Sequence, residues 1–123
     1  MAKELNFKMT IRLYTDDYDR CFGPGIATLL EGVQEHHSLR SAAASMGMAY
    51  SKAWRIIRTA ENVFGCKMLD STIGGKGGGG AQLTPEALRL LQAYRACVTD
   101  VEQYARSRFD EAFSFYPELK QDE

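Results

Sequence analysis

Residues Ser38 to Gly65, SLRSAAASMGMAYSKAWRIIRTAENVFG, hold two helical patterns of unequal length separated by a three-residue break. In the first pattern Leu39, Ala42, Ala43 and Met46 share a face, Ser38 stands as N-cap and Gly47 as stop. The second runs from Tyr50 to about Phe64, with Ala53, Ile56, Ile57, Ala60 and Phe64 at i, i+3, i+4 positions and Gly65 as its end. Two helices tied this closely must cross at a steep angle, and the small alanines let them approach. The segment is expected to be a helix-turn-helix unit.

The flanking chain extends that expectation. Leu5 to Tyr14 alternates Leu5, Phe7, Met9, Ile11 and Leu13 with Asn6, Lys8, Thr10 and Arg12, the period of a half-buried strand. TDDYDR reads as a turn or loop, and FGPG as a breaker that puts Pro24 near the first turn of a helix carrying Ile26, Leu29, Leu30 and Val33. Beyond Gly65, Lys67 to Thr72 and Ala81 to Leu83 read as short strands around IGGKGGGG. Such a glycine-rich hairpin tip is a wing, in which Gly75, Lys76 and Gly77 bring bare backbone and one cation toward a phosphate or a minor groove. Thr84, Pro85 and Glu86 then open a helix predicted to continue to about Phe115. Along it Ala87, Leu91, Tyr94, Val98, Val101, Ala105 and Phe109 follow a heptad-like seam. A helix of about 30 residues spans roughly 45 Å and outruns a small domain, so its seam is expected to pair with a second copy.

The predicted fold is therefore mainly α with a small β component, a winged helix-turn-helix with a long C-terminal dimerisation helix. Residues 1–83 form the DNA-binding part with its N-terminal strand, 84–116 the dimerisation helix of the same domain, and 117–123 a flexible tail.

Charge divides along the chain in a way that suits this reading. Residues 1–37 carry four basic and six acidic side chains, residues 38–80 six against two, and residues 81–123 five against eight. A polyanion answers to a local field rather than to the overall charge of −1, so the middle third is where phosphate contacts are expected. Ser51, Lys52 and Arg55, at the start of the second helix, are placed at base edges or in the groove. Tyr50, Arg58, Ser38 and Arg40 are expected at phosphates, and Thr59 lies on the same outward face. Trp54 falls between the buried and exposed arcs and is expected to pack on the first helix of the unit.

Other chemistry finds little support. Gly75-Lys76 is followed by Gly77, and position 70 is Asp, so no Walker-type phosphate loop is present. His36 and His37 are adjacent and diverge on a helix surface, and Cys21, Cys66 and Cys97 stand far apart, so neither a metal site nor a disulfide framework is expected. The thiols are expected to be reduced and mostly buried. No nucleophile-and-base set presents itself, and no catalytic residue, enzyme activity or cofactor is predicted. Charges interleave through MAKELNFKMTIRL, and no apolar run approaches about 20 residues, so a cytoplasmic protein without membrane contact is expected.

FGPGIATLLEGVQEHHSLRSAAASMGMAYSKAW, together with VFGCKMLDSTIGGKGGGGAQLTPEALRLLQAY, resembles the N-terminal DNA-binding domain of ModE-type molybdenum-dependent transcriptional regulators. The likeness covers about Leu5 to Phe109, with a more distant one to the LysR-type winged helix. It implies a homodimeric regulator on a palindromic double-stranded operator. Full ModE regulators carry molybdate-binding domains with an SARN-type motif, which this sequence lacks, so no high-affinity molybdate site is expected and a signal would come through a separate effector-binding partner. The competing expectation is a winged-helix module that binds a protein, or a partner subunit of a regulator.

Overall fold

In the computed structural model, which describes residues 3–71 and 80–119, three helices pack around Leu29, Leu30, Val33, Ile57 and Met68, all fully buried. Helix α1 spans Pro24–His36, α2 Leu39–Ser45 and α3 Tyr50–Phe64. Pro24 occupies the first turn of α1, and His37 ends that helix in the left-handed region at φ 59°. The Ser38 side chain accepts from the Ser41 amide at 3.0 Å and opens α2. Gly65, at φ 69°, closes α3 where an L side chain would be strained.

The crossing that the alanines permit is with α1. A Cβ placed on Gly32 would lie 2.9 Å from Ala42 Cβ and 3.3 Å from Ala42 Cα, so the two helices meet backbone to backbone there. Gly32→Ala gains up to about 1 kcal/mol of helix propensity but forces these helices apart, a cost of about 1–3 kcal/mol. Net destabilisation is expected, read as a lower urea midpoint at unchanged slope; a rise in midpoint would mean that the contact yields freely.

Two antiparallel hairpins flank the helices. Strands β1 (Leu13–Thr15) and β2 (Tyr18–Phe22) pair Leu13 with Phe22 and Thr15 with Tyr18, with an irregularity between. TDDYDR is thus the heart of a hairpin whose turn is Asp16–Asp17, and β2 corrects the expectation of a loop. Strands β3 (Leu69–Asp70) and β4 (Gln82–Leu83) form the base of the wing. Both are shorter than predicted.

Before β1 the alternation is present without the ladder. Phe7, Met9 and Ile11 are half-buried while Asn6, Lys8, Thr10 and Arg12 are exposed, yet residues 3–12 make no strand. They lie along α4 (Pro85–Ala112), where the Phe7 and Phe109 rings sit 5.1 Å apart and the buried Tyr94 hydroxyl donates to the Ile11 carbonyl at 2.7 Å. The Arg106 guanidinium covers Phe7 at 4.5 Å and donates to Asn6 Oδ1. A helix offers no ladder partner, so period-two burial survives as an extended strap.

Helix α4 begins as expected, Thr84 accepting from the Ala87 amide at 3.1 Å while its hydroxyl donates to the Lys67 carbonyl at 2.7 Å. Its heptad seam needs correcting. Ala87, Leu91 and Tyr94 are 0%, 3% and 5% exposed within a single chain, so they are core residues rather than a dimer contact. Val98 is half-buried against the same core, and Ala105 and Phe109 are half-covered, Phe109 by the strap. Of the seam only Val101 stays exposed, and it is joined on an adjacent arc by exposed Ala93, Cys97 and Tyr104. Heptad spacing identified an apolar face but could not say which surface covers it. Helix α4 ends at Ala112, short of the predicted Phe115, and the chain then turns into a short helix, α5 (Tyr116–Leu119), that begins one residue before the stretch expected to be tail.

Candidate nucleic-acid interface

Helix α3 presents three arcs. Ala53, Ile57 and Ala60 are fully buried, which turns Ser51, Arg55, Arg58 and Asn62 outward, all exposed. Asn62 was not singled out from the sequence, although its i+7 spacing from Arg55 could have found it. Lys52 and Arg40 are exposed as well, whereas Ser38, Tyr50 and Thr59 are half-buried. Among the described residues, Arg40, Lys52, Arg55 and Arg58 enter no ion pair; the pairs that form lie elsewhere, as between Arg95 and Glu31. Four cations around one helix without local neutralisation leave a positive field over its outer face.

On one side of α3 lies an open cleft of about 1080 Å³ toward the base of the wing. Its wall is a ladder of alternating charge and ring. The Arg40 guanidinium sits 4.1 Å over Tyr50, Tyr50 meets Trp54 edge-on at 6.2 Å, and Arg58 lies 5.4 Å over Trp54. Stacking on a ring face holds a guanidinium in place while leaving its N–H edges free to donate. Trp54 is half-buried against the core, and it also carries Arg58.

Two contacts fix the cleft's far wall to the helices. The Glu61 carboxylate accepts from the Met68 amide at 2.9 Å, and the Ala81 amide donates to the His37 carbonyl at 2.9 Å. The wing base is therefore tied both to the recognition-type helix and to the end of α1. Gly75, Lys76 and Gly77 lie outside the described residues.

The cysteines bear on this surface only marginally. Cys21 is buried, its thiol donating to the Leu13 carbonyl at 3.4 Å, and burial pushes its pKa up. Burial, reinforced by Glu86 and Glu61, does the same for the half-buried Cys66. Both thiols are thus held away from the reactive thiolate. Cys97 is exposed, contrary to expectation for that residue.

A helix-turn-helix with a hairpin at its flank and an unneutralised cationic outer helix defines a winged-helix surface of regulatory type. The chain belongs to the bacterial regulatory helix-turn-helix proteins of the lysR family, whose pattern it matches over residues 27–88, from α1 to the first turn of α4. It is similar to the molybdenum transport protein ModE of Herbaspirillum seropedicae, 37% identical over 67 residues, covering 54% of this chain and 25% of that protein. The transcriptional regulator ModE of Yersinia pestis is 33% identical over 95 residues, covering 77% and 34%. The Escherichia coli K12 DNA-binding transcriptional dual regulator ModE is 31% identical over 90 residues, covering 73% and 32%. The chain therefore spans between a quarter and a third of these relatives. Among solved structures, the BenM DNA-binding domain in complex with catB site 1 DNA shares the fold, with a TM-score of 0.52 over 70% of this chain and 90% of that one at 22% identity.

No helix among the described residues is long and apolar enough to cross a membrane.

Proposed function

We propose that this chain is a sequence-specific, DNA-binding transcriptional regulator that acts as a homodimer on a palindromic operator. The observation that carries the reading is the outer arc of α3, where Ser51, Arg55, Arg58 and Asn62 are exposed and, among the described residues, no carboxylate forms an ion pair with the cations. A major groove about 12 Å wide admits one such helix. Ser51, Lys52 and Arg55 then reach base edges, while Arg40 and Arg58, held on Tyr50 and Trp54, take phosphates. Half-buried Thr59 and Ser38, whose oxygen already caps α2, contribute less. The relatives described as transcriptional regulators, one of them as DNA-binding, support the same role.

Dimerisation is assigned to the exposed arc of α4, Ala93, Cys97, Val101 and Tyr104, in place of the predicted seam. Two copies joined there would offer two copies of α3 to successive major grooves, about one helical turn apart. A protein-binding role would not require the unpaired cations of α3.

The test is fluorescence anisotropy of the purified protein with its own promoter region and with scrambled DNA, at 50 and 200 mM salt. Contact with about six phosphates predicts roughly a thousandfold loss of affinity between those salts. Absence of DNA binding at 50 mM salt would transfer the assignment to the protein-binding alternative.

A further inference from the structure

On the side of α3 away from the wing lies a second groove, about 490 Å³. We infer that this groove seats the phosphate backbone of the second DNA strand, with Arg12 as its anchoring cation. The inference rests on the DNA-binding reading and adds to it a residue outside the helix-turn-helix.

Among the described residues three cations line the groove, Arg12 from the strap and Lys52 and Arg55 from α3, and no carboxylate does. Thr59, which faces away from the wing, supplies a hydroxyl to the same wall. Arg12 belongs to the acidic first third of the sequence, so linear charge gave no hint of it. The fold brings it there. The preceding Ile11 carbonyl is fixed by the Tyr94 hydroxyl, and the Arg12 stem lies against Gly23, where an added Cβ would come within 3.2 Å of its Cγ. Among the described residues no ion pair draws its guanidinium away. The first turn of α1 borders the groove and carries no acidic side chain, so its partial positive charge adds to that of the three cations.

The geometry gives these groups a common ligand. A helix lying in a major groove has a sugar-phosphate strand on each side. The wing-side cleft, with Arg40, Arg58 and Lys67, faces one strand, and the groove anchored by Arg12 faces the other. Phosphodiester oxygens need donors and cations but no base-specific geometry. Arg12 thus sets the depth and tilt of α3 without reading sequence.

The experiment compares wild type with Arg12→Gln by anisotropy on promoter and scrambled DNA across a salt series. The expected result is a salt slope shallower by about one for each protomer, and affinity lowered by a similar factor on both DNAs, so that discrimination between them is retained. Gly23→Ala keeps every charge but crowds the Arg12 stem, and should weaken both DNAs in the same direction. Unchanged affinity and slope in Arg12→Gln, with wild type binding normally, would overturn the groove assignment and leave the regulator reading standing. If wild type binds no DNA, both fall. Inorganic phosphate, titrated alone and followed by amide NMR, separates the remaining source: saturable shifts at Gly25 and Ile26 without an Arg12 effect on DNA would make this a free-phosphate site instead.

Discussion

Arg55→Ala is expected to abolish most discrimination between the operator and scrambled DNA while leaving the fold intact. Arg55 is exposed near the centre of the outer arc of α3, and among the described residues no acid forms an ion pair with its guanidinium. A two-pronged guanidinium contact with guanine is the commonest specific contact in a major groove, and a good one discriminates by about 1–3 kcal/mol, or roughly tenfold to a hundredfold. In a dimer the loss is taken at both half-sites. Non-specific affinity should fall far less, since that residual term depends on the remaining cations. Stability should hold within about 0.5 kcal/mol, as for other surface substitutions. Competition titrations with the two DNAs check this, and equal losses on both would demote Arg55 to a phosphate contact.

Val101→Asp is expected to convert a dimer into a monomer. Val101 is 39% exposed on an arc it shares with exposed Ala93, Cys97 and Tyr104. A carboxylate there would have to be buried without a partner at a contact between two copies, which is strongly unfavourable. Sedimentation should give about twice the 13.8 kDa chain mass for wild type and the single-chain mass for the variant. Affinity for a two-half-site operator should drop by about 10²–10⁴, because the second half-site loses its tethered partner. Cys97 supplies an internal reporter: its alkylation should be slow in the dimer and fast in the variant. A wild-type protein that sediments as a monomer would remove the dimer from the proposal.

The helices were legible because each carries its own punctuation. Ser38, Gly65 and Thr84-Pro85 marked ends that the backbone honours, and the three-four spacing of Ala53, Ile57 and Ala60 fixed which side of α3 is buried. Elements defined by a distant partner were harder to read. The two-residue Asp16–Asp17 turn hid β2 inside an acidic run, and the alternation of Phe7, Met9 and Ile11 suggested a sheet when its partner was a helix. The seam on α4 failed for a related reason, since Leu91 and Tyr94 obey the same spacing whether they meet a second copy or their own core. Among the candidate contacts, Arg55, Lys52 and Arg58 were readable from α3 alone, while Arg12 required the tertiary fold.

The strap along α4 also dictates an order of assembly. Asn6 finds Arg106 across 100 positions and Ile11 finds Tyr94 across 83, so these are loops closed late and against a large entropy cost. The contacts of α1 with α2 and of α2 with α3 join neighbours in sequence and can begin to form while α4 is still emerging from the ribosome, and Ala87, Leu91 and Tyr94 complete the core later. The strap must therefore wait, unfastened, until nearly the whole of α4 exists. If Arg12 is the anchor inferred above, a nascent or partly unfastened chain would carry its recognition helix without its full grip on the backbone, and the docking of the strap on α4 would be a condition for firm attachment to DNA.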